Sequence, residues 1–465
     1  MAPRLGLGSG VTADPASGLF GGIPEATKDF NFAEDQRSDS DLNSVDDITF
    51  TRASTAVATN SSGNLATISS GEPRYDHDKD GNALGLFMEE GSSTRIANGD
   101  FVTGWTAYQS NGLDSGNTTA GPDGVSDSGK SINTQTGAGF QMTYNAGMLW
   151  TSTAGFDIME GNAFSVYAKK GNVDYLRYGL LWGGDHQVGA SFNLNTGAVD
   201  NSTNVTASIE DAGNGWYRCI MTNAVMPERT GGNSSAYGML VLSPSGSSSS
   251  DYAVSRDEGG ADKYVYLFGA QVEGDDALSG VAQAYATSLI TTGATQATRA
   301  SDVATITTSD LGYNNVGSFL LELRRNYLPA VTDDSGTSAH PSYLYFEPSS
   351  GTKYITVGTT DTKEVVVGDI AGSDALSIDA GDDIAAKTPF KLAVGIAEDD
   401  CGASLNGATS VVDSSVDSGT NVFTTVHIGG IDVTTATTFI HGHLKRLRFW
   451  DSRLPNEQLE ELSSE

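Results

Sequence analysis

The chain has 465 residues, enough for two or three domains, because single cores rarely grow beyond about 250 to 300 residues. Glycine accounts for 56 of them and helix formers are sparse, so composition favours short strands joined by turns and an all-β class. Lys and Arg number 26 against 58 Asp and Glu, a formal net charge of −32, which excludes nucleic acid and anionic membranes as partners because phosphate binding needs clustered cations.

Residues 1–45 are rich in Gly, Ala, Pro, Asp and Ser without periodicity. Leu5, Leu7, Leu19, Phe20 and Phe30 are scattered through them, too few to repay an ordering cost of about 1 to 2 kcal/mol per residue. The segment reads as an extended arm whose apolar residues anchor in a groove of another protein or a neighbouring subunit. It has no apolar stretch of signal-peptide or membrane-spanning length, which predicts a soluble chain made in a cytoplasm and no membrane insertion.

Residues 46–97 read as a small β-hairpin module. "DITFTRASTAVATNSSGNLATI" alternates apolar and polar positions around a turn. "DHDKDGNALGLFMEE", from Asp76, opens like a calcium loop, but its twelfth position is Phe87, where the closing carboxylate of such a loop must stand. The stretch is therefore predicted to be a hairpin, with Gly81 supplying the positive φ of its turn.

From 98 to 290, strand signals recur in "AFSVYAKK", "YLRYGLLW", "GASFNLNTGAV", "GWYRCIMTNAV", "AYGMLVL" and "KYVYLFGAQVE", which implies a sandwich. Residues 291–310 read as a linker. A second series over 311–465, including "SFLLELRRNYL", "FKLAVGIAEDDCGASLNGAT" and "GHLKRLRFWDSRL", implies a second sandwich. Pro455 at a first helical turn, with Leu459 and Leu462 at i,i+3 spacing, predicts a short closing helix. "TRAS" occurs at 51–54 and again at 298–301, bracketing the first sandwich, though four residues are too few to define a repeat.

Chemistry-bearing patterns are few. A glycosidase needs two carboxylates across a cleft, and "EEGSSTR" and "IEDAGNGW" do not place three acids at i, i+2 and i+4. "HGH" sets His441 and His443 at a spacing that chelates zinc, yet no third ligand can be named, and neither a metal nor a cofactor is expected. Cys219 and Cys401 read as buried free thiols. Sugars stack on aromatic rings. Trp216 and Trp450 sit in strand phrases and read as core, while Trp105, Tyr108, Trp182, Asp185 and His186 fall in or near Gly-, Asp- and Thr-rich loops and are the candidate carbohydrate-binding residues.

The phrases Phe50 to Ser54, Pro73 to Asp76, Gly85 with Leu86, Glu89 with Glu90, and Arg95 resemble the opening module of a family of tailed-phage virion proteins, tail or fibre-like components. "FSVYAKKGN", "IEDAGNGWYRCIMT" and "VYLFGAQVE" resemble the carbohydrate-binding-module-like jelly roll that follows in those proteins, and the carboxyl-terminal phrases look like a concanavalin A-like (laminin G-like) domain. The resemblance covers about residues 46 to 465. It implies two antiparallel sandwiches behind an arm and a small module, in a non-enzymatic virion protein assembled in the host cytoplasm. The arm would contact other virion proteins, the protein would be a homo-oligomer, guessed to be a trimer, and the sandwiches would face a host cell-surface glycan. A head or tail decoration protein is the alternative, and a glycan-degrading tailspike the least favoured.

Overall fold

The computed structural model describes residues 22–33, 47–94, 96, 99, 101, 105–108, 113–125, 128–134, 139–142, 163–182, 185–222, 236–243, 263–273, 285–293, 295–326, 342–349, 355–359, 365–368, 374–378, 384–414, 422–430, 432–433, 436–437 and 439–464, some strands by backbone alone. The chain is all-β, as its composition requires. Strands Ala163–Lys170, Tyr175–Trp182 and Lys263–Glu273 form over segments that carry strand signals in the sequence.

The first sandwich packs two antiparallel sheets. One runs, in spatial order, Thr206–Asp211, Trp216–Thr222, Ala163–Lys170, Lys263–Glu273, Gly129–Thr134 and Leu113–Thr119. The other runs Ala198–Thr203, Asp185–Asn193, Tyr175–Trp182, Ala236–Ser243, Gly139–Met142 and Trp105–Tyr108. Because side chains alternate across a strand, each sheet can turn one set inward. Phe164, Val166 and Leu267 from the first meet Leu176 and Phe192 from the second in one apolar core.

The second sandwich draws its strands from both sides of the first. Its larger sheet runs Val411–Asp413, Asp400–Leu405, Pro389–Ala397, Gly317–Arg325, Gly442–Trp450, Ala83–Met88 and Tyr75–His77. The facing sheet runs Thr49–Thr51, Val303–Thr307, Phe423–Ile428, Ser342–Pro348, Ile355–Thr359, Val365–Gly368 and Asp374–Ile378. Leu86, Phe319, Leu321, Phe449, Ile306 and Phe346 share its core. Gly85 has φ +108 and lies so close to the neighbouring strand that a Cβ would collide with the Leu444 carbonyl, so only glycine fits that seam.

Two expectations are corrected by this pairing. Residues 46–97 are not a separate module, because strands Thr49–Thr51, Tyr75–His77 and Ala83–Met88 are built into the second sandwich. Residues 291–310 are not a plain linker either. Ala297–Arg299 pairs antiparallel with Ser92–Thr94, Arg299 opposite Ser92, and Val303–Thr307 lies between Thr49–Thr51 and Phe423–Ile428. The first sandwich is thus an insertion in the second, entered and left through a two-stranded neck. Local periodicity reports strands but not partners more than 200 residues away.

The arm is corrected in part. Lys28–Asn31 pairs with Gly442–Trp450, Phe30 opposite Leu447, along the same edge that Ala83–Met88 occupies at its other end. Phe30 and Phe32 are buried in the second core, and Ile23 packs with Trp450, Leu459 and Leu462 beside the short helix Asn456–Ser464. Phe30 therefore anchors to its own chain, and Trp450 Nε1 donates to the Pro24 carbonyl at 2.8 Å. Leu5, Leu7, Leu19 and Phe20 lie outside the described residues. Phe30→Ala is expected to lower stability by about 3 to 5 kcal/mol through the cavity it leaves, measured by guanidinium unfolding; an unchanged midpoint would show the segment to be unimportant to the core.

Candidate functional site

The calcium-like stretch is the turn of the hairpin Tyr75–His77 and Ala83–Met88. Asp78 Oδ1 accepts the backbone N–H groups of Asp80 and Asn82 at 2.9 Å each, and Gly81 has φ +82. Asp76 turns inward, accepting the Thr59 N–H at 2.6 Å and facing His443 Nε2 at 2.8 Å. Phe87 is buried against an arginine and a histidine. The Arg74 guanidinium lies 4.4 Å from its ring centroid, and the His443 ring stacks on it at 4.8 Å.

A buried ionic network sits where the neck meets the second sandwich. Arg74 is wholly buried and donates to Glu89 at 2.6 Å, to Ser288 Oγ at 2.9 Å and to Asp302. Arg52 reaches Asp302 at 2.9 Å, and Arg299 lies 3.2 Å from Glu89 while donating to the Glu90 carbonyl at 2.6 Å. Glu89 also accepts the Ser288 N–H at 3.0 Å, and Tyr285 donates to the Glu90 carboxyl. Glu273, likewise buried, accepts from Ser92 at 2.8 Å and from the Thr287 N–H at 3.0 Å.

Burial disfavours the Glu89 charge, but Arg299 and Arg74 outweigh it and hold the carboxyl well below the usual range. Burial pushes the His441 imidazole down to about 4, with Arg299 and Arg74 adding to it and Glu89 opposing. His441 Nδ1 is 3.5 Å from Glu89, whereas His443 faces Asp76, so the two histidines serve different carboxylates. Among the described residues no group of three potential ligands could hold a metal ion. The cysteines are buried and free, the Cys401 thiol being pushed up to about 12 by burial.

The network was not read from sequence, although a signal existed. Both TRAS phrases deliver their arginine to it, and they touch each other, the Ala300 N–H donating to Ser54 Oγ at 2.9 Å. A small cleft lined by Phe50, Arg52, Glu72, Arg74, Phe87 and Asp302 adjoins it. With its ions paired to one another, the network can hold two bodies in register; a buried charge stripped of its partner is costly.

The candidate carbohydrate residues lie in strands, at or next to the ends where loops begin. Trp105 and Tyr108 bound one edge strand of the six-stranded sheet. Trp182 ends Tyr175–Trp182 and pairs with Asp185, which starts Asp185–Asn193 and is followed by His186. Trp105 shares a register row with Met142, Gly238 and Leu180. Trp105 and Trp182 therefore fall at one end of the sheet, on the face that carries the core residue Leu176. Tyr108 falls in the row of Gly139, Val241 and Arg177, on the opposite face.

Comparison with protein-family models gives no match, and comparison with curated proteins gives none either. Solved structures match over about a third of the chain. One is the CBM40 of the Ruminococcus gnavus IT-sialidase bound to alpha2,3 sialyllactose, at 13% identity over 34% of this chain and 86% of that one, TM-score 0.27. Others are the Trypanosoma rangeli sialidase in complex with the inhibitor DANA, 12% identical over 34% of this chain and 25% of that one, TM-score 0.27, and the NanB sialidase from Streptococcus pneumoniae, 10% identical over 34% and 26%, TM-score 0.26. The match spans about a quarter of the length of those two sialidase chains.

Proposed function

We propose that the chain is a non-enzymatic component of a tailed-phage virion, tail-associated or fibre-like, that carries two sandwiches as one rigid piece and presents a glycan-binding surface to the host cell. The observation that carries this reading is a convergence. The phrases that resemble virion proteins, residues 50–54, 73–76 and 89–90, meet the second TRAS in the buried network of the neck. Their charged groups fix one sandwich against the other. Residues 1–21, with Leu5, Leu7, Leu19 and Phe20, are assigned to contacts with other virion proteins, and self-association of the chain belongs to the same reading.

One observation favours the decoration-protein reading instead. Trp105 and Trp182 share a sheet face with a core residue, a placement suited to packing. Trp182→Ala separates the two. Glycan stacking predicts binding to host envelope polysaccharide weakened by about 1 to 3 kcal/mol, as for other aromatic anchors, with the melting temperature kept. Lower melting with unchanged binding supports decoration, and shortening of the polysaccharide by purified protein would refute the non-enzymatic assignment.

A further inference from the structure

The geometry points to a second carbohydrate-binding face, for a neutral oligosaccharide, on the outer side of the seven-stranded sheet of the second sandwich, built around Tyr345, His427 and Glu347. Alternation places these side chains there. Leu344, Phe346, Val426, Ile428, Ala304 and Ile306 enter the core, so the intervening residues on the same three strands turn outward. His427 pairs across the ladder with Tyr345 on one side and Thr305 on the other, and Thr49 is the next partner beyond Thr305. Glu347 pairs with Thr425.

The chemistry of these rows fits a polyol. Tyr345 and His427 stand edge to face, ring centroids 5.8 Å apart at 71°, which fixes an aromatic surface of the kind that sugar C–H faces pack on. Glu347 Oε2 lies 3.2 Å from His427 Nε2. A carboxylate only accepts, so Nε2 donates and the ring orientation is set. The Glu347 side chain remains 52% exposed and that of His427 19%, leaving carboxylate acceptor capacity open to a ligand hydroxyl. Threonines 49, 305 and 425 add hydroxyls along the rows.

Charge selects the ligand class. The chain carries a net −32, and the described residues of these rows hold two carboxylates, Glu347, to which His427 is bonded, and Asp374, reached from Tyr345 through Thr356 and Gly368. Among the described residues of these rows no lysine or arginine stands to receive an anionic glycan, whereas a neutral one meets acceptors, hydroxyls and a ring. The face is on a different sandwich from Trp105 and Trp182, so it stands or falls separately from the surface proposed above.

Isothermal titration of the full chain with gluco-, manno- and galacto-configured neutral hexasaccharides tests it, with a sialylated oligosaccharide as the anionic contrast. At least one neutral hexasaccharide is expected to bind, Tyr345→Ala to weaken it at least tenfold, and Glu347→Gln to weaken it less, both with unchanged melting. Trp182→Ala should leave that binding intact. The proposal is overturned if no neutral hexasaccharide binds, if Tyr345→Ala binds like the parent, or if binding is lost in Trp182→Ala alone. A change of oligomeric state in Tyr345→Ala, read by light scattering, would equally overturn it by making the face a protein contact.

Discussion

Arg74→Met is expected to destabilise the protein by about 3 to 5 kcal/mol, because it strips a wholly buried guanidinium from Glu89 and Asp302 and leaves their charges undercompensated. The loss should be partly restored by adding Glu89→Gln, since removing both partners removes the unpaired charge as well as the bond. The effect should also show in cooperativity. The parent chain is expected to melt in a single calorimetric transition, and Arg74→Met in two, as the inserted sandwich uncouples from its host. Parent-like melting of the variant would mean that strand pairing alone holds the neck.

Acid should remove one contribution to the same junction, that of His441. His441 has its folded value near 4 against 6.5 ordinarily, so between those values the unfolded chain binds the proton and the folded chain does not. The His441 contribution is therefore fully present above pH 6.5 and is lost as pH falls towards 4. At about 1.4 kcal/mol per pH unit, the loss reaches about 3 kcal/mol over the window. Glu89, held below its usual 4.5, adds a loss of the same sign beneath that pH, whereas Glu90, raised to about 8 by burial and by Glu89, acts with the opposite sign and gains stability as pH falls from 8 towards 4.5. Denaturant unfolding of the parent and His441→Gln at pH 7, 6, 5 and 4 measures the His441 share, the parent losing about 3 kcal/mol more than the variant between 6.5 and 4. An equal slope in the variant would assign the titration to another group.

The contrast between what sequence revealed and what it hid follows from range. The aromatic and β-branched run in "KYVYLFGAQVE" reports a strand, because that signal depends on the residues themselves and their nearest neighbours. The closing helix was legible for the same reason, from Pro455, Leu459 and Leu462. Nothing local tells Glu89 that its partners are Arg74 and Arg299, the latter 210 positions on, so the network was invisible while its phrases were conspicuous. Phe30 was misassigned because the arm has no core of its own; the core it joins is supplied by Leu447 and its neighbours at the other end of the chain. "TGWTAYQ" lacks a clear apolar alternation, and it reads as a loop until Gly139–Met142 supplies the ladder that makes Trp105–Tyr108 a strand.

The two-stranded neck also decides how the molecule carries a load. A pull on the inserted sandwich reaches Ser92–Thr94 and Ala297–Arg299 together, in the same direction along both, so the two strands have no reason to slide past each other. Tension passes instead into Glu89, Glu90 and Arg299, and from there into Arg74 and Asp302. Those ion pairs are buried and tie the neck to the second sandwich. A pull between the Ile23 segment and the helix Asn456–Ser464 takes another path altogether: both are seated on the second sandwich, and the inserted one bears none of the strain.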